Sequence, residues 1–151
     1  MEKTSCNIPT PEELRNYINE SVISVTGTYE QSASVLMVDD STIGTLGNFS
    51  ASIGKAKSKK TFNVSAIAAA ALKNGTVLHY HACFPEGKRK ILYVDTEQGK
   101  NHCQIVLNRI LKLAGLPKDC DADNLTMLAL RKYSPEVRLA ITEEAIGMIP
   151  D

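Results

Sequence analysis

SASIGKAKSKKT, residues 50–61, reads as the end of a short strand, a basic loop and the start of a helix. Against the phosphate-loop template G-x-x-x-x-G-K-[ST], Gly54, Lys60 and Thr61 fall on fixed positions, and Lys59 stands where the second glycine is expected. Gly54 would start a tight turn. Lys55, Ala56, Lys57, Ser58 and Lys59 would then present successive backbone N–H groups to phosphate oxygens, and the helix N-terminus would add its positive end. Lys60 reaches the outer phosphates in such a loop, Thr61 offers its hydroxyl to Mg²⁺, and Phe62 completes the candidate binding set. A lysine in the second glycine position is expected to point outward at negative φ or to open the loop, at some loss of nucleotide affinity. A solvated basic loop between two ordinary elements is the alternative.

The flanks supply the context that the template requires. Phe49–Ile53 has strand texture, and FNVSAIAAAALK, residues 62–73, is strongly helix-forming with apolar residues spread almost all round. Such a helix is expected to be buried against a sheet.

With 151 residues, 43% of them apolar and 23% charged, the chain can bury a sizeable core as one soluble globular domain. Seventeen basic residues balance seventeen acidic ones, so no global field points to nucleic acid or an anionic membrane, and a basic site must be local. No apolar run approaches the roughly 20 residues of a membrane span. The polar start MEKTSCNIPTPEE does not read as a signal peptide, so a cytoplasmic protein without a membrane partner is expected. Cys6, Cys83, Cys103 and Cys120 show no paired spacing, as suits reduced thiols.

Taken in order, Thr10-Pro11-Glu12-Glu13 opens a short helix to about Ser21, with Leu14, Tyr17, Ile18 and Val22 on a face expected to dock. Strand pieces follow at Val22–Val25 and Val35–Val38, and the acids Asp39 and Asp40 suit a turn. Lys73-Asn74-Gly75 stops the Ala-rich helix, and Thr76–Cys83 reads as a strand. ILYVD, residues 91–95, is the apolar run of a buried parallel strand, and it delivers Asp95 and Glu97 to the carboxyl edge where ligands sit in open α/β sheets. An amphipathic helix over Lys100–Ala114 turns Cys103, Val106, Leu107, Ile110, Leu111 and Ala114 inward, and Gly115 closes it. Leu125–Leu130 reads as a further strand, and Ser134-Pro135-Glu136 caps a last helix over Val137–Ile146. The order is β-α-β-α-β-α with parallel strands.

Three separated blocks, GNFSASIGKAKSKKTF, ILYVDTEQGKNHCQIVLNRILKLAGLP and LTMLALRKYSPEVR, resemble in this order the RecA-like P-loop ATPases of the RepA type, AAA-family proteins of bacterial mobile elements. The resemblance covers about residues 35–147. It implies an α/β fold: a partial RecA-like core at 46–151, a mostly parallel sheet flanked by helices, preceded at 1–45 by a tail, a helix and a small β addition. It also implies ATP and Mg²⁺ as cofactors, DNA as a partner of the full-length family, and homo-oligomeric assembly. Glu97 matches the acid that activates water, Lys60 the catalytic lysine of the loop, and Asp95 the strand-end acid of the family's D-T-E, with an indirect role at the metal. RecA-like ATPases carry a further strand of Walker B type whose aspartate holds the Mg²⁺ shell. No such strand precedes Asp151, so the chain reads as the amino-terminal part of an ATPase of DNA replication or mobilisation, with little or no turnover. A non-catalytic interaction module, or a phosphate- or DNA-binding module with a vestigial loop, is the alternative.

The remaining constellations are weaker. His79, His81 and Cys83, with His102-Cys103 downstream, alternate in a way that a half-buried strand explains better than a metal site. Lys88-Arg89-Lys90 reads as a solvated turn. Gln98 is expected to cap the helix that follows it, and Arg131, beside Lys132 and Tyr133, is a candidate contact to a nucleotide or a neighbouring subunit.

Overall fold

The computed structural model describes residues 8–55, 59–117, 119 and 121–149. The chain divides into two compact units, Met1–Gln31 and Ser32–Asp151.

In the first unit, Thr10 and Glu13 start helix α1 (Pro11–Ser21) with a reciprocal capping box. The Thr10 hydroxyl accepts from the Glu13 N–H at 3.3 Å, and the Glu13 carboxylate accepts from the Thr10 N–H at 2.7 Å. The Thr10 N–H and then the Thr10 hydroxyl, both donating to that carboxylate, hold the Glu13 carboxyl below its ordinary pKa. Within this unit α1 buries no residue, and Leu14, Tyr17, Ile18 and Val22, the face expected to dock, are all exposed. Nor is Val22–Val25 a strand. The Ser24 N–H donates to the Tyr29 hydroxyl at 2.7 Å, so a local side chain takes the hydrogen bond that a strand would give to a neighbour.

The second unit is mixed α/β. Its first sheet contains β1 (Ser34–Val38), β2 (Ser41–Thr45), β3 (Thr76–Val77) and β4 (Tyr80–Ala82), in the order β2-β1-β4-β3 and antiparallel throughout. Its second sheet pairs β5 (Ile91–Asp95) with β6 (Leu125–Ala129) in parallel, Ile91 opposite Leu125 and Asp95 opposite Ala129. Around these lie α2 (Lys60–Lys73), α3 (Lys100–Ala114) and α4 (Pro135–Met148). The sheet is therefore not the mostly parallel one expected, and only β5-α3-β6-α4 follows the alternating parallel pattern. Through the ladder of β1 with β4, the β1–β2 hairpin belongs to this second unit.

Two further expectations fail for identifiable reasons. Phe49–Ile53 is not a strand: it has no ladder partner among the described residues, and Phe49 and Ile53 are 95% and 93% exposed. Thr76–Cys83 is not one strand but a hairpin, reversed by Leu78 and His79 between the pairs Val77–Tyr80 and Thr76–His81. Leu78 holds a positive φ of 55°, the kind of position where a hairpin turn ordinarily uses glycine. The matching turn of the β1–β2 hairpin places Asp39 at φ 49°, which a short polar side chain tolerates better. The two turns abut: the Asp39 N–H donates to the His79 carbonyl at 3.0 Å, and the His79 ring meets the Asp39 carboxylate at 3.2 Å.

The core lies where α2 and α3 meet each other and the strands. Ala68, Ala69 and Ala70 of α2 pack with Val106, Ile110 and Ala114 of α3 and with Val77, Ala82 and Leu125. Alanines at the contact let the two helix backbones approach closely, which is why so apolar a helix needs few large side chains. Gly115 ends α3 in the left-handed region at φ 77°, and Ser134 caps α4 by accepting from the Val137 N–H. Among the described residues no helix is long and apolar enough to cross a membrane.

Candidate functional site

The loop residues Gly54 and Lys55 are exposed, and Ala56, Lys57 and Ser58 lie outside the described residues. Lys59 is the N-cap of α2 and adopts φ 61°, ψ 23°. This corrects the expectation of negative φ: the lysine takes the left-handed backbone that glycine would take at this template position. Its carbonyl accepts from the N–H groups of Phe62 and Asn63, at 2.9 and 3.1 Å. The carbonyls of the extended N-caps Thr10, Gly99 and Ser134 also accept from their helices, so these bonds do not require the left-handed backbone. The left-handed conformation costs a side-chain-bearing residue about 1 kcal/mol, and the Lys59 side chain makes no capping bond in return. Lys59→Gly is accordingly expected to stabilise the chain by about 1 kcal/mol, read as a higher urea midpoint; a lower midpoint would show that the lysine side chain contributes to the loop.

Lys60 turns back onto the loop, its Nζ donating to the Gly54 carbonyl at 2.6 Å. Two of the template's fixed residues are thus in contact. Thr61 is half-buried, and its carbonyl accepts from the hydroxyl of the fully buried Ser65 at 2.6 Å. The Phe62 ring lies 6.0 Å from the Arg109 guanidinium of α3, so the helix start is held against its neighbour.

The acids form a second group. Asp95 ends β5 half-buried, and its Oδ1 accepts from the N–H groups of Glu97 and Gln98 at 2.9 and 2.7 Å. That carboxylate shapes the turn leading into α3 and leaves Glu97 exposed. Gln98 does not cap α3: Gly99 is the N-cap, and no side chain bonds to it. Burial first, and the Asp95 carboxylate second, push the Tyr93 hydroxyl and the Cys103 thiol above their ordinary pKa values. Cys103 therefore stays a protonated thiol, its Sγ directed at the Gln98 carbonyl at 3.8 Å. Cys83 and Cys103 are free, and Cys6 and Cys120 lie outside the described residues. Among the described residues no hydrogen bond or ion pair links the acids to the loop, and no three His, Cys, Asp or Glu side chains converge as a metal site.

The helix starts divide by chemistry. α1 and α4 begin with a side-chain cap and an acid in the first turn, whereas α2 and α3 begin with neither. Sequence reasoning missed Arg138. Its Nε donates to the carbonyls of Leu130 and Tyr133 at 3.2 and 2.8 Å, and its Nη2 to that of Arg131 at 2.8 Å. One guanidinium thereby fixes the whole turn after β6, and nothing local in SPEVR announces it.

No family model, no curated protein and no solved structure matches this chain.

Proposed function

We propose that residues 54–61 bind the phosphates of ATP together with Mg²⁺. The chain would be a nucleotide-binding domain with a partial RecA-like core, of the kind found in RepA-type motors of DNA replication or mobilisation, with little or no turnover of its own. What supports this most is the contact of Lys60 Nζ with the Gly54 carbonyl at 2.6 Å, behind a Lys59 held in the glycine-like conformation. An ammonium so placed can exchange a neutral carbonyl for charged phosphate oxygens, which hydrogen-bond more strongly. Thr61 supplies a hydroxyl to the cation, and Asp95, with Oδ1 already accepting two N–H groups, acts on it only through water. That sparse donor set suits Mg²⁺, which keeps several of its own waters and, when bound, neutralises phosphate charge. Glu97, exposed beyond β5, is the carboxylate available to orient a water.

A second reading is favoured by one observation: among the described residues no strand feeds the loop, and Phe49 and Ile53 are exposed. On that reading the loop is vestigial and serves a non-catalytic phosphate- or DNA-binding module. Calorimetric titration with a non-hydrolysable ATP analogue and Mg²⁺ decides between them. Micromolar binding is expected, weakened roughly tenfold or more in Lys60→Ala by loss of charge-assisted hydrogen bonds. No binding by the folded chain removes the nucleotide site and leaves the second reading. Equal affinity in Lys60→Ala means that the nucleotide binds elsewhere.

A further inference from the structure

The carboxyl ends of β5 and β6 open into a cleft of about 310 Å³, bounded by Gln98, Gly99 and Lys100 at the start of α3 and by Ala129, Arg131 and Lys132 at the end of β6. This volume lies at the lower end of the roughly 300–1,000 Å³ typical of small-ligand sites. Three of its six lining residues are cationic, and neither Asp95 nor Glu97 is among them. Among the described residues, Lys100 and Arg131 have no acidic partner, and Lys132 Nζ lies 4.7 Å from the Tyr133 ring centroid. At the same edge, Asp95 Oδ1 accepts the N–H groups of Glu97 and Gln98.

Surface lysines alone would mean little. Here the cations border one concavity, and the turn that carries two of them is fixed before any ligand arrives. The Leu130 N–H donates to the Asp95 carbonyl at 2.8 Å, the Tyr133 N–H closes onto the Leu130 carbonyl at 3.1 Å, and Arg138 holds three carbonyls of the same turn. A site assembled in advance spends little binding free energy on ordering itself. Gly99 and Ala129 contribute little side-chain bulk to the lining.

We propose that this cleft is a second anion site, selective for a phosphate or diphosphate group, held by Lys100, Arg131 and Lys132. Arg138 is a positioning residue that sets the turn. The site uses only β5, α3, β6 and α4, so it does not depend on the 54–61 loop. Its phosphate could be free or the end of a nucleotide, and both carry the same chemistry.

The test is a titration of the ¹⁵N-labelled full chain, without Mg²⁺, with pyrophosphate and separately with ADP. Saturable shifts are expected at the amides of Gly99, Lys100, Arg131 and Lys132. They should persist in Lys60→Ala and weaken roughly tenfold or more in the double variant Arg131→Ala, Lys132→Ala, each substitution removing a charged hydrogen-bond donor. Both residues are exposed, so the double variant should keep the wild-type spectrum elsewhere. Tighter binding of ADP than of pyrophosphate assigns the nucleotide as the source, and equal binding assigns the free group. Shifts confined to residues 54–62, non-saturating shifts spread over surface lysines, or binding unchanged in the double variant would each overturn the site. Persistence of the cleft shifts in Lys60→Ala separates this outcome from failure of the loop.

Discussion

Ile110→Ala is expected to destabilise the second unit by about 3 kcal/mol, within the range for large-to-small changes in a packed core. Ile110 is fully buried in α3, among Val106, Ala114 and the alanines Ala68, Ala69 and Ala70 of α2. Those alanine neighbours decide the magnitude. A methyl group fixed to a helix backbone cannot swing into a vacated space, so the cavity left by Ile110 persists, and its cost adds to the lost transfer free energy. With a urea m-value of about 2 kcal/mol/M, the midpoint should fall by roughly 1.5 M. The control is Ile105→Ala on the same helix. Ile105 is 51% exposed, so its truncation should stay within about 0.5 kcal/mol. Alanine is the better helix former at both positions, so equal losses in the two variants would mean that burial in the α2–α3 contact does not set the cost. That contact matters for the candidate site because α2 carries Lys60 and Thr61 in its first turn, with Phe62 against Arg109 of α3.

Where the sequence was legible, the signal was local. The apolar run Ile91–Asp95 and the amphipathic stretch Lys100–Ala114 fall on β5 and α3 with the expected bounds, and Thr10, Ser134 and Gly115 cap where their chemistry says they should. Where reading failed, the deciding interaction was non-local or carried by an unusual residue. Phe49–Ile53 has strand texture, but texture does not provide a neighbouring strand. The reversal at Leu78–His79 contains no Gly, Asn or Asp, so nothing in Thr76–Cys83 marks a turn, although Asp39 and Asp40 marked theirs. Of the candidate site, the contact between Gly54 and Lys60 fits the spacing of the template, whereas the left-handed Lys59 does not follow from a lysine's own preferences. Arg138 reaches three carbonyls five to eight residues upstream. No periodicity encodes such a reach.

Asn74 is where the Ala-rich helix is turned back into the sheet, and Asn74→Ala should cost about 3 kcal/mol: about 1 for a left-handed backbone and about 1 for each of two lost hydrogen bonds. The residue sits at φ 49°, ψ 54° as the C-cap of α2, its N–H directed at the Ala70 and Ala71 carbonyls. Its side-chain amide clasps the backbone of Phe84 in both directions, Oδ1 accepting from the Phe84 N–H at 2.6 Å and Nδ2 donating to the Phe84 carbonyl at 3.2 Å. Asparagine can do both because it tolerates the left-handed region and carries a donor and an acceptor on one short side chain. Asn74→Gly separates the two roles. It keeps the backbone conformation and loses only the clasp, so it should cost about 2 kcal/mol, with fast amide exchange at Phe84 in both variants. Equal costs for Ala and Gly would show that the left-handed cap carries no strain, and protected exchange at Phe84 in either variant would show that the clasp is dispensable. The clasp joins the end of α2 to the segment just after β4, and it uses no residue of either candidate phosphate site. Loss of stability in these variants with phosphate binding intact below the unfolding transition would therefore separate the scaffold's contribution from that of Lys60 and Arg131.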